Sequence, residues 1–427
     1  MLRGGGIGVP ITIQAMPPPE DIRMRGFRER SSVEDAVAAA LDGLVPLPSE
    51  GIPTTQAAGR ILAADIESTV NVPGFRRATM DGYAVRAEDT YGASAYNPIP
   101  LRVLGSSMPG TGDDQPIGPG ECLRIMTGAP VPDSADAVLK AEDTNGSGEQ
   151  IEATAPVPHG RNVARIGEDV EADDRILHAG RRLLPQDIGL ITAIGHNPVA
   201  VVRRPTVRII VSGDELLPPG SAPSGTSIVD SNSPMLAALV ERDGGTADVV
   251  SLPDERAAMA DALSRPDVDL IITAGAASVG SEDRVPVLVG ELGNLTIHGI
   301  TMRPSAPTGI GTVNDVRVLI LPGNPVACLA AYDFFGGPAV RTLGGRSSNW
   351  PYRTIKRTLT RRLVSQVGRT DYARVVVDGD QVEPIAISGS SVLSWGTAAT
   401  GCGVVPASSE GYAAGTPVPG HCDGGST

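Results

Sequence analysis

The sequence is short of the residue types that build several common classes of site. Among its 427 residues are only four cysteines and five histidines, and 3% of the residues are aromatic. The cysteines form no Cys-X-X-Cys pair, which argues against a zinc site or a disulfide framework. Their scarcity is typical of a reducing cytoplasm, the predicted location. The low aromatic content argues against platforms that stack nucleic-acid bases.

Positive charge and long apolar runs are scarce too. The formal net charge is −14, which argues against nucleic-acid binding, because the phosphate backbone would be repelled. No run approaches the ~18 apolar residues that a membrane-spanning helix needs, so no membrane association is predicted. If the ligand is itself an anion, local hydrogen-bond donors or a metal ion must offset this acidic field.

Three short apolar runs are the clearest structural signal that is present. They cover residues 207–212, 268–273 and 316–321. Runs of Val, Ile and Leu with little alternation are typical of strands buried on both faces of a parallel sheet. Helices are predicted between them, at residues 232–243, 254–264 and 285–292. Residues 198–347 are therefore predicted to form a doubly wound α/β domain, which binds ligands at the carboxyl ends of its strands.

The segments on either side of this central domain have different residue patterns. Residues 1–30 are predicted to be a flexible extension. Helices are predicted at residues 32–44, 55–64 and 186–195. Short alternating runs with many turn residues predict a small β domain at 86–159 and a small C-terminal β domain at 348–427. The predicted fold class is thus multidomain, α/β plus β.

Two loops and several acids of the α/β domain have the composition of a binding site. Residues 274–280 resemble a phosphate cradle, although most glycine-rich loops are only tight turns. Residues 322–325 precede a predicted helix, whose first N–H groups could bind an anion; a structural turn explains that motif equally well. Clustered carboxylates without His or Cys suit Mg²⁺, and four acids lie near predicted strand ends: Asp214, Glu215, Asp254 and Asp283.

Taken as a set, the motifs of this chain resemble those of the molybdopterin molybdotransferase family, represented by bacterial MoeA and the gephyrin E domain. The resemblance spans about residues 32–340. It is carried by Thr79-Met80-Asp81-Gly82-Tyr83, Met126-Thr127-Gly128-Ala129-Pro130, Ile166-Gly167-Glu168-Asp169, Ser212-Gly213-Asp214-Glu215, Asp230-Ser231-Asn232, Ser278-Val279-Gly280 and Pro322-Gly323-Asn324-Pro325.

The resemblance implies a specific reaction and four domains. They are a helical elongated domain in two pieces, residues 31–85 and 160–197, a β domain at 86–159 inserted between those pieces, the α/β domain at 198–347 and the C-terminal β domain at 348–427. Adenylylated molybdopterin is cleaved with Mg²⁺, AMP leaves, and molybdate is placed on the dithiolene. It also implies a homodimer, in which the cleft lies between the α/β domain of one subunit and the inserted domain of the other. Other cofactor-biosynthesis proteins are further candidate partners.

Together with the loop chemistry, the resemblance defines a predicted site. The predicted catalytic residues are Asp81, Thr127, Glu215, Asp254 and Asp283. The predicted metal ligands are Asp169, Glu215 and Asp283. The predicted substrate-binding residues are Gly213, Asp214, Ser278, Gly280, Arg303, Pro322, Gly323, Asn324 and Pro325. Asp81 enters only through the resemblance, because an Asp-Gly step is by itself an ordinary hairpin signal.

The chain departs from the family pattern in two loops. The usual Ser-Gly-Gly is Ala274-Gly275-Ala276, and the usual Lys-Pro-Gly-Lys-Pro is Arg303-Pro304-Ser305-Ala306-Pro307. Arg303 keeps one positive charge, but Ala306 keeps none. A charged hydrogen bond is worth ~1.5–3 kcal/mol, so its loss predicts roughly ten- to a hundred-fold weaker anion binding. The alternative prediction is therefore a paralogue that binds a pterin, a nucleotide or a partner protein without turnover, or that acts on another substrate.

Overall fold

The computed structural model describes residues 30–112, 115–275, 284–386 and 389–422. The chain divides into two compact units, one of Pro48–Val202 and one of Met1–Leu47 with Arg203–Thr427. The α-helices are α1 (Val33–Leu41), α2 (Pro185–Ala193), α3 (Asn232–Asp243), α4 (Arg256–Ser264), α5 (Arg284–Leu292), α6 (Pro325–Ala331), α7 (Gly337–Leu343) and α8 (Leu393–Ala398). In the described part of the chain, none of them has the length and hydropathy needed to cross a membrane.

The unit Pro48–Val202 is built around a six-stranded sheet with the order β7-β4-β6-β5-β9-β8. Its strands are β1 (Ser49–Ile52), β2 (Ile66–Glu67), β3 (Arg77–Ala78), β4 (Gly82–Val85), β5 (Ile99–Ser107), β6 (Glu121–Ile125), β7 (Ala137–Lys140), β8 (Thr144–Asn145), β9 (Gln150–Ala153), β10 (Val163–Ala164), β11 (Arg175–Leu177) and β12 (Val199–Val202). Adjacent residues of a strand point to opposite faces. Cys122 and Leu123 accordingly belong to different apolar clusters, so both faces of the sheet are covered.

The second unit contains the α/β sheet, with the order β16-β13-β17-β21-β20-β18. Its strands and the short ones beside it are β13 (Thr206–Ser212), β14 (Leu216–Leu217), β15 (Ile228–Val229), β16 (Thr246–Leu252), β17 (Leu270–Ala274), β18 (Gly293–His298), β19 (Met302–Arg303), β20 (Gly309–Val313) and β21 (Val316–Leu321). The strands β16, β13, β17 and β21 are parallel, as the apolar runs predict. Ile209 joins the core under α1, α3, α6 and α7, whereas Ile210 faces α4 and α5. The predicted doubly wound domain is thereby confirmed.

The C-terminal strands close into a small barrel. They are β22 (Arg353–Leu359), β23 (Leu363–Val364), β24 (Thr370–Asp378), β25 (Gln381–Ala386), β26 (Gly401–Val405), β27 (Gly411–Tyr412) and β28 (Pro417–Cys422). The sheet order is β19-β24-β25-β22-β28-β26, and β24 also pairs with β26. That last pairing makes a ring of β24, β25, β22, β28 and β26, around a core that includes Leu359, Val375 and Val405. The predicted C-terminal β domain is therefore barrel-like.

A network of buried charges joins α3 to the segment after α6, where Tyr332–Gly336 forms a π-helix. Asp243, at the end of α3, accepts from Arg341 Nη1 at 2.8 Å and Arg242 Nη2 at 2.9 Å. Asp333 accepts from the hydroxyl of Tyr352 at 2.7 Å. Buried carboxylates need such partners, because an unpaired buried charge is strongly destabilising.

Several predicted boundaries differ from these contacts. The segment Gly82–Val85, predicted to end the elongated domain, is a strand of the inserted sheet. Val199–Val202, predicted to begin the α/β domain, pairs instead with Ser49–Ile52. The helix α1 packs on the α/β core rather than in the elongated domain. Strand pairing and burial set these domain boundaries, and neither can be inferred from local sequence patterns.

Two local predictions were also wrong or incomplete. The helix predicted at residues 55–64 is only a 3₁₀ turn, Thr54–Gln56. It stops because Gly59 has a φ of +76° and Leu62 makes a β-bridge with Val201. The edge strand β16 was not predicted, because its half-buried residues lack the continuous apolar run of the central strands.

Candidate active site

The loops that leave β13, β17 and β21 touch one another at the carboxyl edge of the α/β sheet. A Cβ added to Gly323 would lie 3.3 Å from the Cα of Gly275. A Cβ added to Gly275 would lie 3.2 Å from the carbonyl oxygen of Ser212, and Gly275 has a φ of +103°. Glycine permits such close backbone packing. The predicted convergence of the three loops is therefore present in the structure.

Three predicted acids lie on this edge of the sheet. Asp214, Glu215 and Asp254 are all exposed. The backbone N–H of Asp254 donates to Oδ1 of Asp214 at 3.2 Å, which ties the loop after β16 to the loop after β13. The carboxylate of Glu215 folds back over Gly213, where both its oxygens would lie 2.9 Å from an added Cβ. The edge thus presents three exposed acids, and the carboxylate of Asp214 is held by a backbone hydrogen bond.

The predicted metal site is only partly described by the structure. Asp283 lies outside the described residues, as do Ser278 and Gly280. Across the described residues, no group of three or more His, Cys, Asp or Glu side chains is arranged to hold a metal ion. Mg²⁺ commonly takes one or two protein carboxylates and completes its shell with water and substrate phosphates. The exposed carboxylates on the sheet edge fit that ligand chemistry.

Asp81 and Thr127 form a pair in the unit Pro48–Val202. Asp81 directly precedes β4 and Thr127 comes two residues after β6, and these strands are antiparallel neighbours with Gly82 opposite Ile125. Any side chain at Gly82 would collide with the carbonyl oxygen of Leu139 on β7. Glycine is thus needed at position 82, and the exposed Asp81 precedes it at the start of the strand.

Thr127 stabilises the ionised form of Asp81. Its backbone N–H donates to Oδ1 of Asp81 at 2.7 Å, and its hydroxyl donates to the same oxygen at 2.8 Å. The backbone bond first, and the hydroxyl bond second, lower the pKa of the Asp81 carboxyl below its ordinary value. Asp81 is therefore ionised at neutral pH and suits an acceptor or ligand role rather than that of a general acid.

Asp169 lies in the same unit, in the loop that pairs with Val72. Its side chain is exposed, and its backbone N–H donates to the carbonyl oxygen of Val72 at 2.9 Å. Gly167 donates in the same way to Pro73 at 3.0 Å. These bonds join the motif at residues 166–169 to the segment at Val72 and Pro73, which leads into the motif at residues 79–83.

The Pro322-Gly323-Asn324-Pro325 loop does not offer the free N–H groups that the sequence predicts. The N–H groups of Val326 and Ala327 donate to the carbonyl oxygen of Ser390, at 2.9 and 3.3 Å. The side-chain amide of Asn324 donates to the hydroxyl of Ser390 at 3.0 Å. The prediction of an open helix N-terminus is therefore wrong: a segment of the C-terminal domain covers it.

Sequence reasoning gave no role to Asn232, although the Asp230-Ser231-Asn232 motif contained the signal. The Asn232 amide donates to the carbonyl oxygen of Gly323 at 2.7 Å. The Asp230 carboxylate accepts from the N–H groups of Asn232 and Ser233, both at 3.0 Å, which fixes the first turn of α3. The motif thus anchors the loop after β21 to a helix start.

Arg303 is paired rather than free. Its Nη2 donates to Oδ2 of Asp371 at 2.8 Å, because β19 lies beside β24 with these two residues opposite each other. The neighbouring Ala306 contributes a carbonyl acceptor to Ile300 at 2.8 Å. Asp371 was not predicted, since its partner lies 68 residues earlier in the chain.

Comparisons with known proteins match this architecture from end to end. Three family models fit in order: the MoeA N-terminal region (domain I and II) at residues 31–195, a "probable molybdopterin binding domain" at 208–342, and the MoeA C-terminal region (domain IV) at 356–420. Molybdopterin molybdenumtransferase 2 of Mycobacterium tuberculosis is 35% identical over 92% of this chain and 98% of that protein. Molybdopterin molybdenumtransferase of Staphylococcus epidermidis is 31% identical, over 77% of this chain and 79% of that protein.

A solved structure is similar over the same length. The crystal structure of the molybdopterin biosynthesis MoeA protein from Pyrococcus horikoshii covers 92% of this chain and 99% of its own, with 31% identity and a TM-score of 0.79. Similarity at this identity over nearly whole chains extends to domain order as well as fold. The chain belongs to the molybdopterin molybdenumtransferase (MoeA) family.

Proposed function

We propose that this protein inserts molybdenum into adenylylated molybdopterin and releases AMP, a step of molybdenum cofactor biosynthesis. The observation that carries the proposal is the meeting of three strand-end loops beside exposed carboxylates, in a chain that matches its family from residue 31 to residue 420. Such an edge is where doubly wound domains bind phosphorylated ligands. Molybdate and adenylylated molybdopterin are the proposed substrates.

The acids of the sheet edge suit the release of a phosphate leaving group. Mg²⁺, when bound, would neutralise charge on the substrate phosphates. The proposed ligands are those predicted from the sequence: Glu215 and Asp169, which the structure describes, and Asp283, which lies outside the described residues. Asp214 precedes Glu215 in the same loop and accepts from the backbone N–H of Asp254. The hard oxygens of Asp214 and Asp254 can orient bound water or the attacking oxygen.

Asp81 and Thr127 supply a second fixed group. An ionised Asp81 is a strong acceptor for N–H and O–H groups of a substrate, because charge-assisted hydrogen bonds are about twice as strong as neutral ones. Thr127 holds that carboxylate in one orientation through two bonds. We therefore propose that the pair orients the substrate rather than transferring a proton.

The proposal includes a homodimer, a cytoplasmic location and contacts with other proteins of cofactor biosynthesis. Light scattering on the purified chain measures the first of these. A mass of twice the chain's 43.9 kDa is expected.

The test is AMP release from adenylylated molybdopterin, scored beside molybdenum incorporation. Release that requires both Mg²⁺ and molybdate is expected. A matched control is Asp133→Asn, since the Asp133 side chain is fully exposed and belongs to no proposed site; this variant should match the parent. Tight binding of the substrate without any AMP would contradict the proposal and favour the non-catalytic paralogue.

A further inference from the structure

Trp395 is an exposed aromatic residue near one loop of the candidate site. It lies in the short helix α8 and is 42% exposed. In the unit that contains the α/β sheet, no other Phe, Tyr or Trp of the described residues is exposed; Phe75, Tyr91 and Tyr96 belong to the unit Pro48–Val202. Single exposed apolar residues are common on protein surfaces, so the surroundings of Trp395 decide what it can do.

The indole of Trp395 packs against a turn that has room for it only because of a glycine. A Cβ added to Gly389 would lie 3.1 Å from Cζ3 and 3.4 Å from Cε3 of Trp395. Gly389 also has a φ of +82°, which favours glycine independently. The backbone N–H of Val392 donates to the carbonyl oxygen of Gly389 at 3.2 Å, which ties the turn to the start of α8. The indole is therefore held in a defined place.

The same turn is bonded to the loop that leaves β21. The residue after Gly389 is Ser390, whose hydroxyl accepts from the side-chain amide of Asn324 at 3.0 Å. Gly323, in that loop, reaches the loop after β17, since an added Cβ would lie 3.3 Å from the Cα of Gly275. A continuous chain of contacts thus runs from the carboxyl edge of the α/β sheet through Ser390 to the indole.

Trp395 differs from the other tryptophan of the chain in its partners. The ring centroid of Trp350 lies 4.9 Å from that of Phe334 and 4.8 Å from that of His421, so Trp350 is part of an aromatic cluster. Among the described residues, no aromatic ring stacks on Trp395. An indole with an unoccupied face can stack on one planar heteroaromatic ring. A strand of nucleic acid would need a row of such residues.

Stacking is a means of binding that tolerates the acidity of this chain. The net charge is −14, and the exposed acids Asp214, Glu215 and Asp254 lie on the sheet edge. They repel a phosphate group, whereas the attraction between two aromatic faces needs no positive charge. One stacked base is worth roughly a ten-fold gain in affinity.

We propose that Trp395 is a specificity-determining residue that stacks on a planar nitrogen heterocycle of the substrate. Adenylylated molybdopterin carries two such rings, the pterin and the adenine, and the experiment below separates them. The assignment of the ring to this substrate rests on the proposed function. The placement of the indole beside the loop after β21 does not.

Calorimetric titration of the whole protein with AMP and, separately, with neopterin tests the inference. Trp395→Leu keeps an apolar side chain but loses the ring, and is expected to weaken the binding of one probe roughly ten-fold. Trp395→Phe keeps a smaller ring and should weaken it only roughly three-fold. A loss confined to AMP identifies the adenine as the stacked ring, and a loss confined to neopterin identifies the pterin.

The comparison of Trp395→Leu with Trp395→Phe separates stacking from a structural role. Both variants place an apolar side chain against Gly389, so their unfolding midpoints should agree, and the main difference between them is the aromatic ring. A role limited to packing predicts equal affinities in the two variants. The matched control is Val364→Ala, which shortens an apolar side chain of the same domain that is 53% exposed; it should bind both probes as the parent does.

In the AMP-release assay, Trp395→Leu should raise the KM for adenylylated molybdopterin roughly ten-fold, while kcat at saturation stays near the parent value. The inference is overturned by unchanged affinity for both probes in Trp395→Leu, by equal losses in Trp395→Leu and Trp395→Phe, or by a parent protein that binds neither probe. A parent whose binding depends on the ring of Trp395 but which releases no AMP from the substrate would instead refute the proposed function alone.

Discussion

Asp81 and Asp333 both accept hydrogen bonds from hydroxyl groups, yet their surroundings move the pKa in opposite directions. The bonds from Thr127 lower the pKa of the exposed Asp81. Burial raises the pKa of Asp333 to about 6, against the opposing effects of Arg242 and Tyr352. Hydrogen-bond donors therefore lower the pKa of a carboxyl that water can reach, and desolvation raises it where water is excluded. The first environment suits a ligand site and the second a core.

The largest expected effect comes from removing a carboxylate from the buried network that contains Asp333. Asp243→Ala removes the partner of Arg341, whose side chain is only 5% exposed. An uncompensated buried charge costs about 3–5 kcal/mol, so the free energy of unfolding should fall by that amount. Denaturant titration measures it. A loss below about 1 kcal/mol would show that water reaches Arg341.

The pH dependence of stability sharpens the comparison. An acid whose pKa is raised on folding contributes stability below its unfolded pKa, near 3.8, and loses it as the pH rises through about 6. Two pKa units correspond to about 2.7 kcal/mol. The unfolding free energy of the parent minus that of Asp333→Asn should therefore decrease between pH 4 and 6, in denaturant titrations at fixed ionic strength. An increase over that range would contradict the assignment to burial.

On the exposed side, substitution should affect activity and spare stability. Asp81→Asn removes the charge while preserving the shape, and AMP release should fall roughly a hundred-fold if the carboxylate stabilises the transition state. Its unfolding midpoint should match that of Asp133→Asn. A variant that loses both activity and stability would place Asp81 in the structural class of Asp333.

Thr127→Val is expected to have the smallest effect. The hydroxyl bond to Asp81 is lost, but the stronger influence, the backbone N–H of Thr127, remains. The pKa of Asp81 should therefore rise towards its ordinary value without reaching it, as followed by carboxyl NMR titration. Activity should decrease roughly ten-fold, the worth of one hydrogen bond to a charged group. An unchanged pKa would show that the Thr127 hydroxyl does not influence the Asp81 carboxyl.

Local patterns predicted the elements of the α/β core but not the contacts that join distant segments. The helix α3 occupies residues Asn232–Asp243 and the strand β21 residues Val316–Leu321, as predicted from the sequence. Burial on both faces produces a continuous apolar run, which is visible locally. The half-buried β16 has no such run, and so it was missed.

Tertiary contacts explain the remaining differences at the site. Ser390, more than sixty residues later in the chain, accepts a hydrogen bond from Asn324 at the start of α6. Asp371 accepts a hydrogen bond from Nη2 of Arg303. Neither Ser390 nor Asp371 can be predicted as a partner from residue spacing in the sequence. The resemblance named Asp81 and Thr127 as members of one site, and the structure places them in direct contact, which local patterns did not predict. Their roles remain a proposal, which the variants above test.

The closed ring of the C-terminal domain has a practical consequence for protein engineering. The strand β28 pairs with both β22 and β26, so shortening the chain before Pro417 would open the ring and expose two strand edges. Open edges recruit other chains, and such truncations are expected to aggregate rather than yield a smaller working protein. A reporter peptide is better inserted at the tight turn between β24 and β25, where Gly379 has a φ of +53° and no neighbouring atom lies within 4 Å of an added Cβ.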